Sequence, residues 1–457
     1  MNKRAELQTL SPLDGRYLAK ALPLRKYFSD SALIKHRILI EVLYVLELVS
    51  FLKVEKVKSS EKKKLLSWVN NLSLKDFEEV KKIEKEIKHD VKAVEYFIKT
   101  ALIKLKLQKL SSWVHWGLTS EDTNNLAYGL MIQKAKDKIL VPQQKKLIKI
   151  LLKLADKYKT TSFPGRTHGQ VAVPTTFGKE FVVFVSRATF FLEKIINFKL
   201  GGKLNGAVGN FNAYIKIFPN KNWLLFSHDF VKKLGLKPVL ITTQIEPYSR
   251  LCYFLDLQRQ LNNVWLDLSQ DCWLYISLDL LSQKIKKKEV GSSTMPHKVN
   301  PINFENAQGN LELGNSLLQA ISNKLPVSRL QRDLSDSTVK RNLGVAFGYS
   351  LLAITSLCKG LQKIEPNINL INKEMSMYPE MLTEALQLIL KFWGDEKAYS
   401  KIKAKIRGKK VSWQEIISSL NKDQQKQLKK WKTKDYIGLA PKLVDLEAKN
   451  IKKILKL

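Results

Sequence analysis

Residues 291–306, GSSTMPHKVNPINFEN, bring together side chains that could move protons and bind an anion. Ser292 and Ser293 follow a glycine, and His297, Lys298 and Asn300 come shortly after them. Asparagine followed by proline predicts a helix N-cap with the proline at the first helical position, so the loop leads into a helix N-terminus, which favours an anion. An ordinary loop between helices also contains Gly, Ser and Pro, but it does not need this set of polar side chains. We therefore interpret the segment as the centre of the chemistry.

A second polar cluster, RTHGQ at residues 166–170, surrounds a histidine. His168 stands beside Arg166 and Gln170, just before a helix that we expect to begin near Pro174. A lone histidine is usually a structural residue, but imidazole titrates near neutral pH and suits acid–base chemistry. His168 is therefore a candidate for proton transfer. We assign mainly to structure the histidines His36, His115, His228 and His297.

Arginine is scarce in this lysine-rich chain, yet some of its arginines lie in segments rich in polar side chains, namely Arg16, Arg166, Arg332 and Arg341. The guanidinium group binds carboxylate and phosphate in a bidentate manner that lysine does not offer. Around residue 341 the segment DSTVKR could equally be a helix start with Asp336 as its cap. The segment NGAVGN lacks the spacing of a P-loop and is weak support for a nucleotide-binding loop. The arginines nevertheless favour a substrate with phosphate or carboxylate groups.

Helical periodicity dominates the rest of the chain. Apolar residues recur at alternating steps of four and three over residues 177–198, and this stripe predicts one long amphipathic helix. Over residues 254–278 apolar side chains occupy the other faces as well, which predicts an inner helix buried nearly all round. Residues 147–158 and 311–325 are also amphipathic, whereas strand-like alternation is rare. We therefore predict an all-α fold around an extended helical bundle, with domains at residues 1–110, 111–363 and 364–457.

The composition excludes a small or disordered protein, and the positive charge makes nucleic-acid binding an alternative to consider. The chain has 457 residues, 44% of them apolar, which is enough for a large core in more than one structural unit. Its formal net charge of +36 comes mostly from lysine. These lysines are spread over many segments without the interleaved aromatic side chains of a stacking platform for nucleic acid. Lysine on solvated helix faces is therefore favoured over nucleic-acid binding.

Neither a leader segment nor a membrane span is predicted. The first residues contain no apolar run, and no later stretch stays uncharged for the roughly 20 residues that a membrane helix needs. Cys252, Cys272 and Cys358 are far apart and encode neither a disulfide framework nor a zinc site. No metal or organic cofactor follows from the residues, and we expect a cytoplasmic enzyme.

The segment GSSTMPHKVNP, residues 291–301, resembles the signature of the fumarase/aspartase superfamily. Seven further segments narrow the resemblance to the adenylosuccinate lyases, in particular to the bacterial type with the longer chain. They occur in order along the chain and are very specific as a set, whereas the C-terminal part is covered only weakly. The segments are SPLDGRY (11–17), HDVKAVEYF (89–97), GLTSEDTNN (117–125), RTHGQ (166–170), NGAVGN (205–210), TTQIEP (242–247) and QRDLSDSTVKRN (331–342).

This resemblance implies an all-helical homotetramer, with each active site built from three subunits, that eliminates fumarate from adenylosuccinate and from the succinyl-aminoimidazole-carboxamide ribotide of purine synthesis. It implies Ser292 as the base that removes a proton beside a carboxylate and His168 as the acid that protonates the leaving nitrogen. A free serine is far too weak a base, so its alkoxide needs a stabilising cation, for which Lys298 is the candidate. By the same resemblance Glu305 pairs with the imidazole and fixes its tautomer.

The remaining candidates, also implied by the resemblance, would bind the phosphate, the ribose and the two carboxylates of the substrate. Two of them depart from the family pattern, because Lys88 stands where this branch usually has asparagine and Lys340 adds a cation beside the expected phosphate site. The substrate-binding set comprises Arg16, Tyr17, Lys88, His89, Asp90, Thr119, Ser120, Gln244, Ser293, Lys298, Val299, Asn300, Asn306, Arg332, Ser337, Thr338, Val339, Lys340 and Arg341.

Two alternatives remain open. Another member of the superfamily, such as an argininosuccinate lyase or an aspartase, would share the serine loop, but Arg332, Arg341 and the HDVKAVEYF segment argue against it. A basic helical nucleic-acid-binding protein would instead use the positive charge. Tight retention of nucleic acid on filters, steeply dependent on salt and without turnover, would indicate that second alternative.

Overall fold

The computed structural model describes residues 8–285 and 294–457 of the chain, so Ser292 and Ser293 lie outside the described residues. Helices account for most of this part, and the all-α prediction is confirmed. The helices are α1 (Leu18–Phe28), α2 (Asp30–Leu52), α3 (Ser59–Asn70), α4 (Leu74–Ile87), α5 (Asp90–Lys104), α6 (Ser120–Ala135), α7 (Val141–Lys157), α8 (Phe177–Asn197), α9 (Asn212–Ile217), α10 (Trp223–Lys233), α11 (Ser249–Ser277), α12 (Ile302–Lys324), α13 (Ser335–Lys340), α14 (Leu343–Leu361), α15 (Ile368–Met377), α16 (Thr383–Phe392), α17 (Ala398–Ile406), α18 (Trp413–Ile417), α19 (Lys422–Leu428) and α20 (Ala440–Leu455).

The few strands in the described part form two-stranded pairs. The longest pair is an antiparallel hairpin, and its second strand occupies the place where a helix was expected to begin near Pro174. That expectation is wrong, because α8 begins only at Phe177. The strands are β1 (Ser162–Thr167) with β2 (Gln170–Thr176), β3 (Gly201–Gly202) parallel to β4 (Lys237–Pro238), and β5 (Leu281–Gln283) antiparallel to β6 (Ile364–Pro366).

The described chain divides into two compact units, each made of segments that are distant in sequence. The first unit contains residues 8–143, 191–263 and 309–353. The second unit contains residues 144–190, 264–285, 294–308 and 354–457. Long helices contribute residues to both units, so the division does not follow the order of the chain. The three domains predicted from the sequence remain a prediction.

The first unit has an apolar cluster among its N-terminal helices and one helix without an exposed face. Ile38, Val94, Phe97 and Leu110 are among the buried members of the cluster. Nearly every residue of α6 is buried, including the polar and charged residues of its first two turns. A buried polar group costs free energy unless it has a partner, so the N-terminal part of α6 has to organise other polar groups around itself.

In the second unit aromatic side chains support the β1–β2 hairpin. The rings of Phe163 and Phe177 stack with centroids 4.1 Å apart, and Tyr275 meets both rings edge-on at 5.5 and 5.6 Å. Such offset and edge-to-face pairs contribute beyond the burial of apolar area. The hairpin is therefore held on α8 and on the end of α11. A separate apolar cluster of α16 to α19 includes Trp413 and Leu428.

The predicted inner helix, α11, has a buried face along most of its length, but it is not buried all round, since Tyr253 near its start is 50% exposed and its end is exposed as well. Phe254 and Trp265 are fully buried, whereas Trp273 and Leu274 are 39% and 49% exposed. One stretch of the described chain, Ser335–Leu361, is apolar and long enough to cross a membrane by composition alone. Of its most apolar window 72% is buried within the protein, which is what a core helix shows.

The start of α8 gives a stability prediction. A Cβ atom on Gly178 would lie 2.3 Å from the Ala155 carbonyl oxygen and 2.5 Å from the Lys159 Cα, and neither backbone atom can move away cheaply. Gly178→Ala is expected to lower the free energy of unfolding by roughly 1–3 kcal/mol, although alanine favours helices. Urea denaturation measures the change. Glu193→Ala, at an exposed position of the same helix, is the control and is expected to shift stability by less than about 0.5 kcal/mol; equal effects of the two substitutions would refute the steric argument.

Candidate active site

The first turn of α6 carries two of the predicted substrate-binding residues. Thr119 is the N-cap, Ser120 is the first helical residue, and both side chains are half-buried. The fully buried carboxylates Glu121 and Asp122 follow directly. The positive end of the helix dipole and the free N–H groups of the first turn stabilise negative charge at these positions. The helix start is therefore a natural place to hold carboxylates of the protein or of a ligand.

Asp122 accepts four hydrogen bonds and fixes the NGAVGN segment beside the helix start. Its Oδ2 accepts from the backbone N–H of Thr119 at 2.9 Å and of Gly206 at 3.2 Å. Its Oδ1 accepts from the backbone N–H of Asn205 at 3.1 Å and from Lys203 Nζ at 2.9 Å. NGAVGN is thus a turn that is bound to a protein carboxylate through backbone donors.

Lys203 connects the same carboxylate to the TTQIEP segment. Its side chain is fully buried, and Nζ donates to the carbonyl oxygens of Gly206 at 3.1 Å and Gln244 at 2.9 Å. The Gln244 side chain in turn donates to the Ala207 carbonyl and accepts from Arg332 Nη1 at 3.3 Å. The predicted residues Gln244 and Arg332 are therefore in direct contact.

The turn also depends on a glycine. Gly209 has a φ of +86°, and a Cβ there would lie 2.3 Å from the Thr242 carbonyl oxygen. Any other residue would meet both a left-handed backbone conformation and a clash with the neighbouring segment.

Glu121 is at the centre of a second buried network. Lys340 Nζ lies 2.7 Å from Glu121 Oε1, 3.0 Å from Asp336 Oδ2 and 2.6 Å from the Tyr248 hydroxyl. Arg332 Nη2 lies 3.4 Å from Glu121 Oε2 and 3.6 Å from Asp336 Oδ1. Burial works against the charge on the Lys340 ammonium, but the two carboxylates outweigh burial and raise its pKa above the ordinary value. Burial likewise opposes ionisation of Asp336, yet Lys340 lowers its pKa.

Asp90 links α5 to two arginines. Arg37 Nη2 lies 2.6 Å from Asp90 Oδ2 and Arg341 Nη2 lies 3.8 Å from the same atom. Arg37 Nε also donates to the Asn124 side chain on α6 at 2.8 Å, which brings Asp90 and Arg341 to that helix. Burial would raise the pKa of Asp90, but Arg37 outweighs burial and holds it below its ordinary value.

Lys88 and His89, directly before Asp90, connect the end of α4 to the start of α5. Lys88 is the C-cap of α4 with a φ of +55°, a left-handed conformation in which asparagine is more at ease than lysine. His89 is the N-cap of α5, where its Nδ1 accepts from the Lys92 N–H at 3.2 Å. Both side chains are exposed. The asparagine expected at position 88 therefore suits the backbone there, independently of any contact to substrate.

The remaining predicted residues of the first unit lie directly before α1 and on or directly after α13. Arg16 is exposed with its guanidinium 6.0 Å from the Tyr17 ring centroid, and Tyr17 packs partly against the cluster of Leu13 and Leu352. On α13 and directly after it, Thr338 and Arg341 are exposed and Ser337 and Val339 are half-buried, whereas Lys340 is fully buried.

In the second unit His168 occupies the tip of the β1–β2 hairpin. His168 and Gly169 form the two-residue turn between Thr167 and Gln170, with φ values of +52° and +73°. Positive φ at both central residues is the pattern of a type I′ turn, which costs a side-chain-bearing residue about 1 kcal/mol. The imidazole is exposed, and a Cβ on Gly169 would have no atom within 4 Å. The hairpin therefore presents His168 to the surroundings at the cost of backbone strain.

Arg166 joins the hairpin to α15 through an ion pair. Its Nη2 lies 3.3 Å from both carboxylate oxygens of Glu374. Its Nε is buried without a hydrogen-bond partner. Arg166 is therefore engaged in positioning the strand that leads to His168.

The described part of the predicted serine segment leads into α12. The helix begins at Ile302, one residue later than predicted, because the Pro301 carbonyl accepts its first hydrogen bonds. Gln283 Nε2 donates to the Val299 carbonyl at 3.0 Å, and Lys298 is exposed. Within the chain, Glu305 accepts from the Trp273 indole at 3.2 Å, and Asn306 accepts from Ser356 at 2.6 Å.

The structure thus gathers the candidates into two groups. In the first unit, the contacts given above place six candidates at or around the N-terminus of α6: Asp90, Thr119, Ser120, Gln244, Arg332 and Arg341. In the second unit His168 lies on the hairpin and Lys298, Asn300 and Glu305 lie at the start of α12. The predicted pairing of Glu305 with His168 stays a prediction. Within residues 8–285 and 294–457 no group of His, Cys, Asp and Glu is arranged to hold a metal ion.

Four residues that organise the first group were missed by sequence reasoning: Glu121, Asp122, Lys203 and Tyr248. The adjacent acids in GLTSEDTNN were a usable signal, because two carboxylates at the start of a wholly buried helix need partners. Nothing local marks Lys203 as buried among so many exposed lysines.

Comparison with known families identifies the chain as a lyase. Residues 15–312 match the family model described as Lyase, and residues 328–437 match the one described as Adenylosuccinate lyase C-terminal. The fold resembles the crystal structure of a fumarate lyase from Mesorhizobium sp. BNC1 with a TM-score of 0.75, at 15% identity, covering 93% of this chain and 97% of that one.

Similar proteins identify the family within the lyases. The adenylosuccinate lyase of Haemophilus influenzae is 43% identical over 448 residues, covering 96% of this chain and 98% of that protein. The adenylosuccinate lyase of Escherichia coli K12 is 40% identical over 450 residues, covering 96% and 99%. The chain belongs to the adenylosuccinate lyase family.

Glu246, near the Lys340 network, gives a pH prediction. Its side chain is 5% exposed, and burial raises its pKa from the ordinary 4.5 to about 7, although the Tyr248 N–H donates to it at 2.9 Å. Because the folded state holds this proton more tightly, the contribution of Glu246 to stability is greatest below pH 4.5 and falls as the pH rises towards 7. Glu246→Gln keeps the acceptor for the Tyr248 N–H and removes the titrating group. The free energy of unfolding of the variant, relative to that of the natural chain, should therefore rise by roughly 1–3 kcal/mol from pH 5 to pH 8.

Urea unfolding of the variant and of the natural chain, at about pH 5 and about pH 8, measures this change in relative stability. The matched control is Glu193→Gln, whose exposed side chain should leave the pH dependence unchanged. A stability difference between Glu246→Gln and the natural chain that is the same at both pH values would show that Glu246 is ionised throughout.

Proposed function

We propose that the chain eliminates fumarate from adenylosuccinate, giving AMP, and from the succinyl-aminoimidazole-carboxamide ribotide, as a cytoplasmic enzyme of purine nucleotide biosynthesis. The observation that supports this most directly is the polar arrangement around α6. Arg37 joins Asp90 and Arg341 to the helix, and Glu121 joins Arg332 and Gln244 to it. Two arginines near the positive end of a helix dipole suit a substrate that carries a phosphate and two carboxylates.

The proposed reaction is an elimination with one base and one acid. Ser292 takes the proton from the carbon beside a succinyl carboxylate, and His168 protonates the nitrogen that leaves. The exposed imidazole at the tip of a rigid hairpin supports the role of His168, because a general acid has to reach the leaving atom while its own backbone stays in place. Lys298 is the cation proposed to stabilise the serine alkoxide and a substrate carboxylate, and Glu305 is proposed to orient the imidazole.

The binding roles follow the chemistry of each side chain. Arg16, Tyr17, Arg332, Ser337 and Arg341 are proposed to bind phosphate and ribose, with Thr338 and Val339 beside them. Thr119, Ser120, Ser293, Lys298 and Asn300 are proposed to bind the succinyl carboxylates, with Gln244 and Val299 nearby. The substrate-binding set is completed by Lys88, His89, Asp90 and Asn306.

Self-association as a homotetramer, with active sites shared among subunits, is part of the proposal. It is supported by apolar side chains left exposed on long helices, among them Phe190 at 56%, Trp273 at 39% and Leu274 at 49%. It is also supported by the Glu305 carboxylate, which within one chain binds Trp273 and not the imidazole. In such an assembly the imidazole of one subunit meets the serine and the glutamate of another.

A spectrophotometric assay of fumarate release tests the function. The chain should act on adenylosuccinate and not on argininosuccinate or aspartate. Ser292→Ala and His168→Ala should each lower turnover by at least roughly a hundred-fold, since each removes one proton transfer. His168→Asn is a matched variant, because asparagine accepts the left-handed turn but cannot act as the acid, and it should be as inactive as the alanine variant. Near-normal turnover in any of the three would remove that residue from its role.

Sharing of the site is tested by mixing subunits. Ser292→Ala and His168→Ala chains, inactive alone, should regain activity when dissociated and reassembled together, because some sites then receive both natural residues from different chains. Each variant dissociated and reassembled alone is the control. A mixture that stays inactive would contradict the contribution of these two residues by different subunits.

A further inference from the structure

Lys340 is a buried cation whose hydrogen-bond donors are all occupied. Its side chain is 2% exposed, and Nζ contacts Glu121, Asp336 and the Tyr248 hydroxyl at 2.7, 3.0 and 2.6 Å. An ammonium group has three N–H donors, so these three contacts use every one. The direct contact to phosphate expected from the sequence therefore does not fit the position of this side chain.

The same two carboxylates also face Arg332, which is 15% exposed. Arg332 lies 3.4 Å from Glu121 and 3.6 Å from Asp336, and both distances are longer than the Lys340 contacts. Its Nη1 reaches the half-buried Gln244 side chain at 3.3 Å. Two carboxylates and two cations make the cluster neutral. Lys340 is on its buried side, and Arg332 is on its exposed side.

We propose that Lys340 is a positioning residue, which neutralises Glu121 and Asp336 from inside so that the guanidinium of Arg332 remains available for the phosphate of the substrate. The inference rests on the proposed function, because that function gives Arg332 a phosphate to bind. It assigns Lys340 to the support of the site and not to its surface.

The physical reason is charge balance in a region with little water. Without the lysine charge, two buried carboxylates would share Arg332 as their one cation in this cluster. The guanidinium would then be drawn onto both carboxylates, and an incoming phosphate would meet a cluster with a net negative charge. Interactions between charges are strong in such surroundings, because they are poorly screened.

Lys340→Met tests the inference, because methionine fills a similar volume without charge. The KM for adenylosuccinate and the inhibition constant of AMP should both rise at least roughly ten-fold, as expected when a hydrogen bond between charged groups is weakened. The inhibition constant of adenosine, which has no phosphate, should change less than about two-fold, and kcat should fall less than KM rises. A variant that binds AMP as the natural chain does would overturn the proposal.

Two further variants separate positioning from general damage. Lys136→Met removes another buried lysine, whose Nζ donates to the Ile196 and Phe198 carbonyls, and it should lower stability without changing the ratio of AMP to adenosine inhibition. Lys340→Met combined with Asp336→Asn restores the neutral cluster and should recover AMP inhibition to within about three-fold of the natural chain.

The double variant also covers the case in which Lys340→Met alone does not fold. A folded double variant that has lost AMP inhibition would overturn the charge-balance argument. A Lys136→Met variant with the same selective loss would overturn it as well. Failure of the proposed function is distinguishable, since the natural chain would then release no fumarate from adenylosuccinate at all.

Discussion

The structure of the first unit depends on two adjacent carboxylates that are buried at the start of α6. An ionised carboxylate is costly inside a protein unless cations and hydrogen-bond donors surround it. Asp122 obtains Lys203 and three backbone N–H groups, and Glu121 obtains Lys340, Tyr248 and Arg332. These partners come from segments far apart in sequence, so satisfying the two charges brings those segments together. Burying Glu121 and Asp122 thus brings Arg332 and the segments of Lys203, Asn205 and Tyr248 to the start of α6.

The candidate residues of the two units differ in kind. The first unit offers arginines and a helix N-terminus that suit anionic groups, and among these arginines Arg332 lies against the buried carboxylates Glu121 and Asp336. The second unit offers an exposed imidazole on a strained turn, anchored by stacked aromatic rings and by the pair of Arg166 with Glu374. Under the proposed function, the first set of side chains would bind the charged substrate and the imidazole would act as the acid.

Much of the fold followed from the sequence. The long helices α8 and α11 were predicted from apolar periodicity because a helix packed on one side has to repeat its apolar residues with its own period. The β1–β2 hairpin was missed, since its strands are short and its turn is His-Gly instead of the usual Asn-Gly or Asp-Gly. Without the hairpin, the sequence could not explain why His168 is exposed. His168 was nevertheless identified as a candidate for proton transfer from the polar residues beside it.

The buried ion pairs could not be predicted from local sequence. Lys136, Lys203 and Lys340 are buried in a chain of charge +36, where lysine is most simply taken as solvated. Only the partners distinguish them, and the partners are distant in sequence. Lys340, for example, is bound to Glu121, which lies 219 positions earlier in the chain. The one local clue was the pair of acids in a helix with no exposed face.

The most direct test of this account is a double-mutant cycle on Asp122 and Lys203, with the free energy of unfolding measured in urea. Asp122→Asn and Lys203→Met should each cost about 3–5 kcal/mol, because each leaves a buried charge without its partner. The double variant should cost less than the sum of the two by about 2 kcal/mol or more, since no unpaired charge then remains. Additive effects within about 0.5 kcal/mol would contradict the claim that this buried pair holds the site together.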